Sequence, residues 1–202
     1  KMDMASKFGI AEQHVVQTGF YRSNLDLSVA PIKTKDKERR LYDYLSKAAG
    51  SAIVYVTLQQ TAEQVANQLK RQGLLAQAYH AGLESEQRQQ IQLDFMRGET
   101  QVIVATIAFG MGIDKSDIRY VVHYDLPKSI ENYSQEIGRA GRDGQLSKCI
   151  VLANLDSLNT LENFVYGDTP ELEGIEKVLG QIVSEANEGL WETQIQTLSN
   201  DT

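Results

Sequence analysis

Short apolar runs alternate along this chain with stretches whose apolar residues recur every three or four positions. Residues 52–56 are apolar without a break, and 101–105 nearly so. Runs of this length fit strands covered on both faces. Residues 75–79, 118–124 and 149–153 read the same way, with 27–30 as a short strand ahead of them all. Between these runs the period changes. Residues 36–48 carry Leu41, Tyr44, Leu45 and Ala48 on one helical face and are ended by Gly50. Residues 61–72 carry Ala62, Val65, Ala66 and Leu69 and stop at Gly73, and 85–97 carry Ile91 and Phe95 and stop at Gly98. Helical crossovers between doubly covered strands predict an α/β fold, a parallel sheet flanked by helices. Ligands of such sheets bind beyond the carboxyl ends of the strands, and the chemistry-bearing loops are expected there.

The stretch from Ser129 to Gly144 organises the rest. Read as a helix over 129–141, it sets Gln135, Arg139 and Arg142 at i, i+4 and i+7 on one face. Ile130, Tyr133, Ile137 and Ala140 fall on the opposite face, toward a core. Pro127 and Ser129 mark a strand end and an N-cap. Gly138 and Gly141 interleave with the arginines, although glycine costs about 1 kcal/mol against alanine inside a helix. Their presence predicts a close approach to the backbone. A planar guanidinium suits phosphate oxygens and charge developing in phosphoryl transfer.

The loop after the 101–105 strand runs from Thr106 to Asp114. Gly110 and Gly112 permit tight turning, Asp114 offers acceptors suited to a ribose hydroxyl, and Thr106 brings a hydroxyl and an exposed N–H suited to a backbone phosphate. The Thr57 hydroxyl reads equally as a phosphate ligand or as the cap of the helix behind it. His80 reads equally as a ligand contact or a structural histidine, and His123, in mid-strand, as core. No two histidines have metal-ligand spacing, and the single Cys149, inside an apolar run, reads as a buried thiol. No metal is expected in this chain.

Composition adds limits. Charged residues make up 23% and hydrophobic ones 42%, an ordinary globular balance, and no apolar run reaches the roughly 20 residues a membrane span needs. One cysteine and no signal-peptide pattern point to a reducing, cytoplasmic setting. Net charge of −7 argues against a dedicated basic nucleic-acid-binding domain and predicts weak DNA binding by this segment alone, while leaving room for a local groove. No phosphate-cradling Gly-x-x-x-x-Gly-Lys-Ser/Thr and no magnesium-holding Asp-Glu strand end occur, so the chain alone is not expected to hydrolyse ATP. Its lack of an initiator methionine fits a fragment of something longer.

The run Gln135-Glu136-Ile137-Gly138-Arg139-Ala140-Gly141-Arg142-Asp143-Gly144 resembles motif VI of superfamily 2 helicases, in the form of the RecQ family of ATP-dependent DNA helicases. The loop 106–114 resembles motif V and 57–60 motif IV, while 79–83, 124–129 and the entry segment from Phe20 to Leu25 also match the family. The resemblance covers about 20–154. It implies a RecA-like three-layer lobe over 23–155, an interlobe segment over 1–22, and a mostly helical tail over 156–202.

What the resemblance implies about function is specific. ATP with Mg²⁺ is held mainly by a first RecA-like lobe, the partner of this one. Arg142 is the arginine finger on the γ-phosphate, Arg139 lies beside it, and Gln135 couples nucleotide to the lobe interface. Asp114, Gly112 and Gly138 face nucleotide, and Thr57, His80, Thr106 and Gly110 face single-stranded DNA. The lobe is expected to be monomeric. The family's four-cysteine zinc module has no counterpart here; the acidic segment 166–170 stands in its position. Two rival readings are a superfamily 2 RNA helicase or double-strand translocase, disfavoured by the GRAGRDG form with Tyr79 and His80, and a non-enzymatic adaptor, disfavoured by intact motif arginines.

Overall fold

The structure is a computed structural model; it describes residues 21–106, 109, 113–154 and 172–185, with isolated positions at 7–9, 11, 14–15, 156, 158 and 162. Among the described residues, six strands, β1 (Leu25–Pro31), β2 (Ser51–Tyr55), β3 (Ala76–Tyr79), β4 (Val102–Ala105), β5 (Ile118–His123) and β6 (Ser147–Ala153), form one sheet in the order β1-β6-β5-β2-β4-β3. All five pairings are parallel. The helices are α1 (Lys37–Leu45), α2 (Gln59–Arg71), α3 (Ser85–Arg97), α4 (Ile130–Ile137) and α5 (Leu172–Glu185).

The strands lie where the apolar runs predicted them because β2 and β4, each flanked by strands on both sides, bury every residue. Alternation then splits the core. Ala52, Val54, Val102 and Val104 pack with Leu41 and Leu45 of α1 and with Ala62, Val65, Ala66 and Leu69 of α2. Ile53, Tyr55, Ile103 and Ala105 face the other way, onto Phe95 of α3 and Phe109 and Ala140 beyond it. The result is three layers, α1 and α2 on one face, α3 and α4 on the other. Gly98 ends α3 at φ +80 and Gly73 follows α2 at φ +88, the left-handed geometry that needs no Cβ. Helix α1 stops at Leu45, five residues short of Gly50.

The chain departs from the sequence pattern at its centre. Helix α4 ends at Ile137, not near 141, and residues 138–143 form successive turns. Gln135, Arg139 and Arg142 therefore do not share a helical face. Ile130, assigned to the core face, is 74% exposed, whereas Ala140 is fully buried. Gly141 takes φ +53, and a Cβ there would stand 2.6 Å from Asn24 Nδ2 and 2.7 Å from both the Gln145 carbonyl and Ser147 Oγ. The close approach that the glycines predicted is real, but the chain's own side chains and carbonyls make it.

Candidate functional site

Helix α4 starts beyond the carboxyl end of β5 and returns the chain toward the amino ends of the sheet. Ser129 caps it, its hydroxyl accepting from Asn132 N at 3.2 Å. Eight residues of helix rise about 12 Å. The turns that follow sit at the amino ends of the strands, since Gly141 N donates to the Ile118 carbonyl at the start of β5. The arginine loop thus lies at the edge opposite the one that the general rule for α/β sheets predicted.

That loop is braced by its neighbours. Arg22 donates from Nη1 to the Gly138 carbonyl at 3.0 Å and from Nη2 to the Gly141 carbonyl at 2.6 Å. Asn24 Nδ2 donates to the same Gly141 oxygen at 2.8 Å. Asp143 pairs with Arg119, and its carboxyl is held below the usual range, first by the Gln145 N–H and then by Arg119. Arg142, left exposed, donates from Nη1 to Asp114 Oδ1 at 2.8 Å and to the Ile113 carbonyl at 3.2 Å. Two of the sequence-predicted residues are therefore in direct contact. Gln135 is exposed on α4. Gly138 holds φ −60, and its carbonyl serves Arg22.

Arg139 turns inward instead. Its guanidinium interacts with the Tyr55 hydroxyl, which burial pushes well above its ordinary pKa, against the opposing pull of Arg139. Tyr55 stacks on His123 at 5.4 Å between centroids, and His123 Nε2 lies 2.7 Å from Glu136 Oε2, both side chains buried. Tyr133 leans on the same imidazole at 5.2 Å. His123 is core, as expected, but it is a paired residue, which no sequence periodicity predicted for Glu136.

A cleft opens at the carboxyl edge, about 430 Å³ counted to its mouth, lined by Thr57, Thr106, Asp125, Lys128, Asn132 and Glu136 among others. Thr57 N donates to Asp125 Oδ2 at 3.0 Å, and the N-cap of α2 is Leu58, so the Thr57 hydroxyl does not cap that helix. Thr106 N donates to the Tyr79 carbonyl at 3.2 Å and is not an exposed donor; only its side chain is left to the cleft. His80 is 7% exposed and sits 3.1 Å from Glu63 Oε1. Asp125 also takes Lys37 Nζ at 3.0 Å, a lysine only 3% exposed and lying over the Tyr124 ring at 4.7 Å. Neither Lys37 nor Arg22 was singled out as a site residue from the sequence, because their partners stand 88 and more than 100 positions away. Gly110 and Gly112 lie outside the described residues. Among the described residues no group of three or more His, Cys, Asp or Glu is gathered as metal ligands, and no helix is long and apolar enough to cross a membrane.

A parallel three-layer lobe with a braced arginine loop at one edge and a hydroxyl-lined cleft at the other defines a RecA-like domain. The helicase conserved C-terminal domain matches residues 36–144. The chain is 46% identical over 143 residues to the protein named ATP-dependent DNA helicase RecQ of Pasteurella multocida, covering 71% of this chain and 22% of that protein. It is 43% identical over 151 residues to the Bacillus subtilis protein of the same name, 74% of this chain and 25% of the other. A DEAD box protein from Methanococcus jannaschii shares the fold, with a TM-score of 0.61 and 24% identity over 81% of this chain and 45% of that one. The chain belongs to the helicase conserved C-terminal domain family, as a lobe of the RecQ kind. It spans about a quarter of the length of these two curated relatives.

Proposed function

We propose that this chain is the second motor lobe of an ATP-dependent DNA helicase. ATP with Mg²⁺ is held mainly by a first RecA-like lobe elsewhere in the protein, and Arg142 reaches across to its γ-phosphate. Asp114 takes the ribose side of the nucleotide. Arg139, lying against Tyr55, and Gln135 couple that site to the lobe interface. Thr57 and Thr106 hold backbone phosphates of single-stranded DNA in the cleft, with His80 beside them on the next strand end.

The observation that carries this reading is the state of Arg142. Its guanidinium is exposed, is held by an exposed carboxylate, and rides on a loop whose carbonyls Arg22 and Asn24 clamp. An exposed ion pair is worth about 0–1 kcal/mol, so a phosphate can displace Asp114 at small cost. The clamp means that the guanidinium arrives without reordering the backbone, which is how positioned charge lowers a barrier. Between the two edges, Arg139, Tyr55, Glu136 and His123 form a packed path through which nucleotide-driven closure would move the cleft. That the relatives are named DNA helicases favours DNA over RNA.

The test is DNA-stimulated ATP hydrolysis by the longer natural chain, wild type against Arg142→Ala. An arginine finger is worth 10³–10⁵ in rate in other phosphoryl-transfer systems, so a loss of about that size with DNA binding retained is expected. Unchanged hydrolysis would sink the assignment.

A further inference from the structure

A second groove lies at the carboxyl edge of the sheet, outside the cleft. It opens between the end of β1 and the first turns of α1, about 910 Å³ counted to its mouth, and its rim carries Lys33, Lys35, Arg39 and Arg40 with Asp36 and Asp43. The eight residues from Lys33 to Arg40 hold five of the chain's 20 Lys and Arg and only two acids, in a chain whose net charge is −7. A concavity with four cations against two carboxylates, on an acidic protein, is a local positive field that concentrates anions.

The charges are available. Lys33, Lys35 and Arg39 are exposed and make no ion pair among the described residues. Arg40 differs, lying over the Tyr44 ring at 5.9 Å. Nor is the groove isolated. Strand β1 ends beside β6, and β5 and β2 follow, so the groove stands three strand spacings, about 14 Å, from Thr57. Lys37 spans the interval: it leaves the same helix and meets Asp125, the carboxylate that also receives the Thr57 N–H.

We propose that this groove binds the phosphodiester backbone of DNA and extends the single-strand path beyond the Thr57–Thr106 cleft. The inference rests on the motor-lobe reading. Lys33, Lys35 and Arg39 supply point and forked charges to successive phosphates, and with no aromatic ring on the rim the groove tracks backbone and reads no base. Continuity with the cleft favours a nucleic-acid strand over an acidic protein segment.

The experiment uses the longer natural chain, with fluorescence anisotropy of labelled oligothymidine strands of increasing length at several salt concentrations. In Lys33→Ala/Lys35→Ala/Arg39→Ala, the affinity gained by lengthening the strand is expected to shrink. The salt slope on long strands should fall by up to about 2, at about 0.7 per phosphate contact. Thr57→Ala, run beside it, should weaken short strands as well. All three lysine and arginine changes are at exposed positions, and an unaltered melting temperature checks the fold. Undiminished length dependence and slope, with short strands still bound, would overturn the groove and leave the motor reading standing. A triple variant that binds more tightly would mean that an acidic segment occupies the groove, which also overturns it. A wild-type protein that binds no strand at all would remove both.

Discussion

Arg142 and Asp114, 28 positions apart, meet at 2.8 Å in the lobe taken by itself. The Asp114 side chain is 89% exposed and that of Arg142 37%, so the pair is a surface contact that orients the arginine more than it stabilises the fold.

Asp114→Ala follows directly from that pairing. Urea denaturation of the lobe should show a loss of under about 1 kcal/mol. In the longer chain, KM for ATP should rise several-fold through the lost ribose contact. A large stability loss would make Asp114 a structural brace.

The two glycines flanking Arg142 separate conformational strain from packing. Gly144 has φ +81 with nothing within 4 Å of a new Cβ, so Gly144→Ala should cost about 1–2 kcal/mol from the left-handed backbone alone. Gly141→Ala adds the three contacts below 3 Å from Asn24, Gln145 and Ser147, and should cost clearly more, about 3 kcal/mol or above. Equal costs in chemical denaturation would mean that the Arg22–Asn24 clamp yields freely.

Glu136→Ala leaves a buried imidazole without its 2.7 Å partner and should cost about 1–3 kcal/mol, while Glu136→Gln, which can keep one hydrogen bond, should cost less. The same variants in the longer chain should weaken the stimulation of hydrolysis by DNA, since the pair lies between Arg139 and the cleft. Stimulation that stays intact in a folded Glu136→Ala protein would remove the pair from the coupling path.

Cys149 reports on the sheet. Burial pushes its thiol from 9.0 to about 12, so the folded protein should resist thiol reagents near pH 8 and react at once when unfolded. A folded pKa above the unfolded one contributes stability that is complete below about pH 9 and is lost as pH rises from there toward 12. Denaturation midpoints should therefore fall across that alkaline window, and Cys149→Ala should flatten part of the fall.

What this sequence determined alone is the sheet and its helices. Doubly buried strands must be apolar at every position, and amphipathic helices must repeat every 3.6 residues, so 52–56, 101–105 and the stretches bearing Leu41, Leu69 and Phe95 declared themselves locally. Even Ser129 announced its cap. The arginine loop did not follow, because a 3.6-residue count runs on through Gly141 whereas the backbone there turns to φ +53. That turn is fixed by Asn24, Gln145 and Ser147 closing around a position with no Cβ, and two of those three arrive only when β1 and β6 pair. Likewise the burial of Lys37, the clamp from Arg22 and the edge at which Arg142 emerges depend on partners far away in the chain. Periodicity records which face of an element is covered; only the closed tertiary structure decides which distant charge or carbonyl covers it.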